Sequence, residues 1–301
     1  MKIYIVKIDK RLMPKSQKIR FPKHNDDYGI EQDFISFLES NQKYVTTNYE
    51  EADWCYLPIY WTRWKLNNDY GKKNNDFLDS AINNLKYQKN RTFTVCQYAD
   101  GPGVPLDGVR VYLASRNKKN GFDVPLLCRP HSLNTSSYLT KFSKLFSIKP
   151  KNKKKYKASF RGRYSTHPIR ALMAKELKPL ENVLIKEKSV SSRAFVKEIL
   201  QSEIALCPRG HGGDSFRFYE AMQLGVVPLF IGDIDARPFK SQIDWNKCSF
   251  YTSSIDEVKY IINSYSKEEL LKMGKKAYEV YNSNLKFGMW CKCLIKELSL
   301  S

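Results

Sequence analysis

Leu206-Cys-Pro-Arg-Gly-His-Gly-Gly-Asp-Ser-Phe-Arg-Phe-Tyr-Glu-Ala221 places three signals end to end. The apolar run Glu203 to Cys207 reads as a buried strand that stops at Pro208. Gly210, Gly212 and Gly213 then let the backbone turn tightly and approach a ligand, and Asp214 or Ser215 is placed to cap a helix. The free N–H groups at the start of such a helix form an anion site. Arg209 and Arg217 flank it and can make bidentate contacts to phosphate, while Glu220, one turn beyond Arg217, can accept from ribose hydroxyls. On spacing alone, Arg217 and Glu220 would serve equally well as a surface ion pair.

Working outward, the same alternation continues. Tyr156 to Phe160 is strand-like and leads into Arg161-Gly162-Arg163, after which Pro168 suits a first helical position. Asn182 to Ile185 is the next strand, Ser192 to Gln201 a helix, and Gly225 a stop before the strand Val226 to Ile231. Two capping boxes, Ser254-x-x-Glu257 and Ser266-x-x-Glu269, open later helices, and Trp290, Leu294 and Leu298 give the last helix an apolar stripe. Upstream, strands are expected at Lys2 to Ile8, Trp54 to Ile59 and Thr92 to Tyr98. Between them lie helices carrying Ile30, Phe34, Phe37 and Leu38, and then Phe77, Leu78, Ile82 and Leu85. Repeated βαβ units predict an α/β protein with parallel sheets.

The chain of 301 residues, 42% of them hydrophobic, holds enough apolar material for two cores. The expected division is residues 1–150, residues 151–280 and a C-terminal helix, 281–301, that can pack back on the first domain. Lys149-Pro-Lys-Asn-Lys-Lys-Lys-Tyr-Lys157 reads as a solvated linker between the domains. No apolar run approaches the roughly 20 residues of a membrane span, so a soluble, cytosolic protein is expected. The seven cysteines are scattered and look like reduced core residues. Cys291 and Cys293 alone make a poor zinc site. A formal charge of +20 suits an anionic partner, whether nucleic acid, an acidic surface or a diphosphate.

In open α/β sheets ligands bind outside the carboxyl ends of the strands, which puts the loops after Phe160, Cys207 and Ile231 in one crevice. At this point the residues resemble a known family. Leu206-Cys-Pro-Arg-Gly210, Ser215-Phe-Arg-Phe-Tyr-Glu-Ala221 and Gly225-Val-Val-Pro-Leu-Phe-Ile-Gly-Asp233 are similar to the signature of exostosin-type (family 47) glycosyltransferases. Ser159-Phe-Arg-Gly162 resembles that family's phosphate-side loop, and Pro238-Phe with Ile243-Asp-Trp245 its downstream motif. Glu51-Ala-Asp-Trp54 with Pro58, and Phe122-Asp-Val-Pro125, resemble weaker N-terminal signals.

The resemblance implies a GT-B architecture, in which two Rossmann-like domains face each other across a cleft. The C-terminal domain would hold the donor and the N-terminal one the acceptor, and transfer would invert the anomeric carbon. The implied donor is a UDP-sugar, with UDP-xylose a weak preference among several sugars, and the implied acceptor an oligosaccharide or glycoprotein glycan. A soluble form, without the membrane anchor common in eukaryotic members, is expected. Arg161, Gly162, Arg209, Gly210, Gly212, Ser215, Phe216, Arg217 and Glu220 make up the expected donor site.

Inverting transfer needs a base on the acceptor side and positive charge at the departing diphosphate. Arg161, Arg209 and Arg217 are the leaving-group candidates. Asp100, which follows the strand Thr92 to Tyr98, is the first candidate base and His131 the second, with His24, Asp26 and Asp27 behind them. Trp61 and Trp64, beyond Pro58, are placed to stack on acceptor sugars. No metal or other cofactor is expected. Two other readings stand beside this one. Asp233-Ile-Asp235 could be a metal-binding D-x-D pair, in which case a divalent ion, and not the arginines, would stabilise the diphosphate. The charge and the lysine run would also suit a polyanion- or nucleic-acid-binding protein, whose binding would fall steeply with salt.

Overall fold

The computed structural model describes residues 1–16, 29–127, 133–148 and 154–300. Its strands form two sheets. In the first, β1 (Ile3–Ile5), β2 (Val45–Thr46), β3 (Trp54–Tyr56), β4 (Thr92–Cys96), β5 (Val109–Leu113) and β6 (Phe122–Asp123) take the order β2-β1-β3-β4-β5-β6. In the second, β7 (Tyr156–Arg161), β8 (Val183–Lys186), β9 (Ser202–Pro208), β10 (Val227–Ile231) and β11 (Phe250–Thr252) take the order β11-β10-β9-β7-β8. Every pairing is parallel. Parallel strands need cover on both faces, and β4 and β10 are buried along their whole length.

The cover is helical. In the first half it comes from α1 (Ile30–Glu39), α2 (Trp61–Asn67), α3 (Asn75–Asn83) and α4 (Leu133–Ile148). In the second it comes from α5 (Pro168–Leu177), α6 (Ser192–Leu200), α7 (Phe216–Gln223), α8 (Ile255–Ser264), α9 (Lys267–Val280) and α10 (Met289–Ser299). Local chemistry sets their ends. Pro168 opens α5, where the missing N–H costs nothing, and the His167 ring accepts from the Ile169 N–H at 3.3 Å. Ser266 and Glu269 close a capping box on α9. The expected box at Ser254 does not form: Ser254 heads α8 without a side-chain cap, and Glu257 accepts from the Thr252 hydroxyl, which in turn accepts from the Ser254 N–H. Gly225 follows α7 with φ +68°, the left-handed position that ends a helix.

Three elements bear on how the two halves meet. Of the lysine run, residues 154–157 are described and belong to the fold, since Tyr156 and Lys157 are part of β7 and Lys154 donates to the Leu200 carbonyl at 3.0 Å. Helix α4 precedes residue 150, yet it packs on α6, with the Thr135 hydroxyl donating to Ser192 at 2.8 Å. Helix α10 ties the two halves together. The Trp54 indole of the first half donates to the Leu298 carbonyl at 3.1 Å, Gln242 of the second donates to the Cys293 carbonyl at 2.8 Å, and Trp290 lies 5.7 Å from Phe34. One apolar cluster therefore runs from Phe34, Tyr56 and Phe93 through Trp290 and Leu294 to Phe218, Phe230 and Trp245.

Candidate active site

The carboxyl ends of the two sheets face each other where the loop after β5 meets the loop after β9. Gly213 donates its N–H to the Ser115 carbonyl at 3.1 Å. A Cβ on Gly212 would stand 1.8 Å from the Ser115 hydroxyl, and one on Gly213 1.9 Å from the Arg116 carbonyl. The close approach that these two glycines permit is thus between the two halves of the protein. Gly210 plays a different part, lying against Arg170, whose NH2 would be 3.2 Å from an added Cβ.

Arginines converge on this point. Arg209 is 6% exposed; it pairs with Asp233 and donates to the Asn117 side-chain oxygen at 2.6 Å. Its Nε is buried and has no hydrogen-bond partner among the described residues, an arrangement that costs energy unless a ligand supplies an acceptor. Arg170 donates to the carbonyls of Arg209 at 2.8 Å and Pro208 at 3.1 Å. Burial and the neighbouring Arg217 bring its guanidinium down to about 10. Arg161 is held by Glu198 through two bonds of 2.6 and 2.7 Å. Gly162 continues the pairing of β7 with a 3.1 Å bond to the Lys186 carbonyl.

Arg217 donates to the Arg161 carbonyl and lies between the rings of Phe160 and Phe195, 5.0 and 4.9 Å from their centroids. Burial lowers its pKa, and Glu220 acts in the opposite direction. Glu220 is itself 9% exposed, so the surface ion-pair reading does not apply. Ser215 heads α7 without a side-chain cap, and its carbonyl accepts from the Phe218 N–H at 3.0 Å. Asp214 does not cap either. Its carboxylate accepts from the Ser215 N–H at 2.6 Å and the Tyr219 hydroxyl at 2.7 Å, and burial pushes its pKa well up.

On the opposite wall, Asp100 is exposed and accepts from the Asn117 amide at 3.0 Å. Lys65, buried beneath this loop, places its ammonium 4.2 Å from the centroid of the Tyr98 ring. His131, His24, Asp26 and Asp27 lie outside the described residues. Trp61 and Trp64 are not at the cleft surface. Trp61 is fully buried and donates to the Thr94 hydroxyl at 2.8 Å, and Trp64 packs against Phe77 in the same small core. Neither can stack on a sugar, because α2 turns both rings inward. The carboxylates of the Asp233-Ile-Asp235 pair are both engaged by cations, Asp233 by Arg209 and Asp235 by Arg237 at 2.8 Å and Lys240 at 3.3 Å.

The sequence reading missed Arg170, Asn117 and Lys65. Arg170 had a signal, since it stands in the first helical turn after the β7 loop, facing the same crevice. Asn117 and Lys65 had none, because each acts through a loop contact distant in sequence. Among the described residues no helix is long and apolar enough to cross a membrane, and no cluster of three or more histidines, cysteines or carboxylates is placed to hold a metal.

A family model for the exostosin GT47 domain matches residues 1–265. The chain is 31% identical over 90 residues to an exostosin-1 homolog of Caenorhabditis elegans, covering 29% of this chain and 24% of that protein. It is 30% identical over 158 residues to exostosin-1 of Drosophila melanogaster, covering 44% of this chain and 20% of that one. These matches thus span about a fifth to a quarter of the relatives' length. Among solved structures, HepE of Anabaena in complex with UDP is similar over 100% of both chains, with a TM-score of 0.44 and 9% identity. TarM is similar over 70% of this chain and 55% of its own, with a TM-score of 0.36 and 15% identity. With its signature segments gathered at one cleft and its family model spanning both sheets, the chain belongs to the exostosin GT47 family.

Proposed function

We propose that this protein transfers a sugar from a UDP-sugar to a glycan acceptor, with inversion at the anomeric carbon. The observation that carries the reading is the convergence of Arg161, Arg170, Arg209 and Arg217 at the ends of β7 and β9, opposite an exposed carboxylate on the other wall. The diphosphate would lie over Arg209 and the start of α7, where preorganised cations stabilise the departing charge. Arg209 would meet the phosphates directly. Arg170 and Arg217, spent on backbone carbonyls, would hold the Arg209 loop and the end of β7 in place. Glu220 would accept from the ribose, and Asp100 would take the proton from the acceptor hydroxyl. UDP-xylose is the donor to try first.

The decisive measurement is a thermal-shift and calorimetric titration with UDP, followed by a panel of UDP-sugars screened for hydrolysis and transfer. UDP at about 100 times its Kd should stabilise the fold by about 2.7 kcal/mol. Asp100→Asn should cut transfer by roughly 10² to 10⁴ while leaving UDP affinity nearly unchanged, as expected of a lost base. Tight, steeply salt-dependent nucleic-acid binding with no response to UDP would replace this reading with polyanion binding.

A further inference from the structure

Among the described residues, Asn117 joins side chains of the two walls through a single group. Its Nδ2 donates to Asp100 at 3.0 Å, and its Oδ1 accepts from Arg209 at 2.6 Å. The orientation of the amide is dictated by its partners, since only the N–H end can serve a carboxylate and only the oxygen can serve a guanidinium. The residue is itself fixed by its backbone, whose N–H donates to the Ala99 carbonyl at 3.2 Å, one residue before Asp100. Its neighbours Ser115 and Arg116 are the groups against which Gly212 and Gly213 are pressed, and Arg116 is anchored to Asp123 by two bonds of 2.8 Å. The chain from Ser115 to Asn117 is thus held from both sides, and the amide has little freedom.

We propose that Asn117 is the positioning residue that keeps the Asp100 carboxylate in register with Arg209, coupling the acceptor-side base to the group that receives the donor diphosphate. The inference rests on the donor reading of Arg209 and adds to it a link between the two half-sites. The amide needs no charge of its own. It transmits position because it is bonded at both ends, and it keeps a cation and an anion one side chain apart without letting them form a direct ion pair.

Asn117→Asp tests this with almost no change of shape. The new carboxylate still accepts from Arg209, but it replaces a donor to Asp100 with a like charge at hydrogen-bond distance, which disfavours ionising both. The acid limb of the pH–rate profile for UDP-sugar turnover should therefore move up by about one pH unit or more relative to wild type. Asn117→Ala should lower kcat by roughly tenfold or more, with a smaller change in the donor KM. A carbon-13 carboxyl titration of the full-length protein, with the Asp100 signal identified by its loss in Asp100→Asn, reads the same shift without turnover.

An Asp100 titration and acid limb unmoved in Asn117→Asp overturn the proposal, as does a kcat within about twofold of wild type in Asn117→Ala. Calorimetric titration of wild type with UDP separates the donor site from its coupling to the base. Absence of UDP binding sinks the donor reading and this inference with it, whereas normal UDP binding with an unmoved Asp100 sinks the coupling alone.

Discussion

The two walls of the cleft are built on different plans. The proposed donor wall stands on the strands β7, β9 and β10, of 6, 7 and 5 residues, and its arginines are held mainly by carbonyls and carboxylates of the same half, Arg209 alone among them also reaching Asn117 across the cleft. The proposed acceptor wall stands on loops after β4 and β5, and its candidate base, Asp100, is an exposed carboxylate steadied by the Asn117 amide. A site that stabilises charge must be rigid before the substrate arrives, because reorganisation at the moment of reaction costs what preorganisation would have contributed. A site that accepts varied glycans gains from loops. On the proposed reading, the difference teaches that the nucleotide half would be the constant part of the protein and the acceptor half the adjustable one.

The comparison can be broken most decisively at Arg217. Arg217→Ala removes the bond that holds the Arg161 carbonyl and should lower UDP-sugar turnover by roughly 10² to 10³, about 3 to 4 kcal/mol. A loss below about tenfold in steady-state turnover would show that the donor wall is not preorganised by this residue.

The next effect should come from the seam. Gly213→Ala places a methyl group 1.9 Å from the Arg116 carbonyl, where backbone must move. It should cost about 1 to 3 kcal/mol and lower the thermal midpoint by several degrees. An equally large loss of turnover with an unchanged midpoint would mean that the glycine serves the ligand instead of the seam.

The smallest effect concerns Glu31, fully buried at the start of α1, where it accepts from the Thr62 N–H at 3.1 Å, the Thr62 hydroxyl at 2.7 Å and the Gln97 N–H at 3.0 Å. Burial pushes it up to about 7, above the 4.5 of a free carboxyl. A carboxyl raised in the folded state binds more protons there than in the unfolded chain. Its contribution is therefore complete below about pH 4.5 and is lost as the pH rises through 7. The thermal midpoint should fall by a few degrees across that window, and Glu31→Gln should flatten the fall. A slope that survives the substitution would assign it to other groups.

The donor half was legible in the sequence because its signals are local. A strand, a glycine turn, an arginine and a helix start lie within consecutive residues, and each shapes the next. The acceptor half was not, because its parts meet only in three dimensions. Trp61 and Trp64 looked like sugar platforms since they follow an exposed-looking proline turn, yet a helix of seven residues, α2, rotates both into a core that periodicity over so short a span does not reveal. Strands β5 and β6 escaped notice for a related reason. Val109–Leu113 interrupts its apolar residues with Arg110, and Phe122–Asp123 is too short to carry a pattern. The glycines read as places where the backbone approaches a ligand, whereas Gly212 and Gly213 are pressed against Ser115 and Arg116, a loop far earlier in the chain that no local signal reveals.

Helix α10 has a consequence for how the molecule comes apart. With Trp54 bonded to the Leu298 carbonyl and Gln242 to the Cys293 carbonyl, neither half can lose its structure without stripping cover from the other. Two architectural units then behave as one thermodynamic unit, and calorimetry should record a single cooperative transition in place of two. A sugar nucleotide bound only to the second half would accordingly protect the amides of the first against hydrogen exchange, as though the whole chain had been told of its arrival.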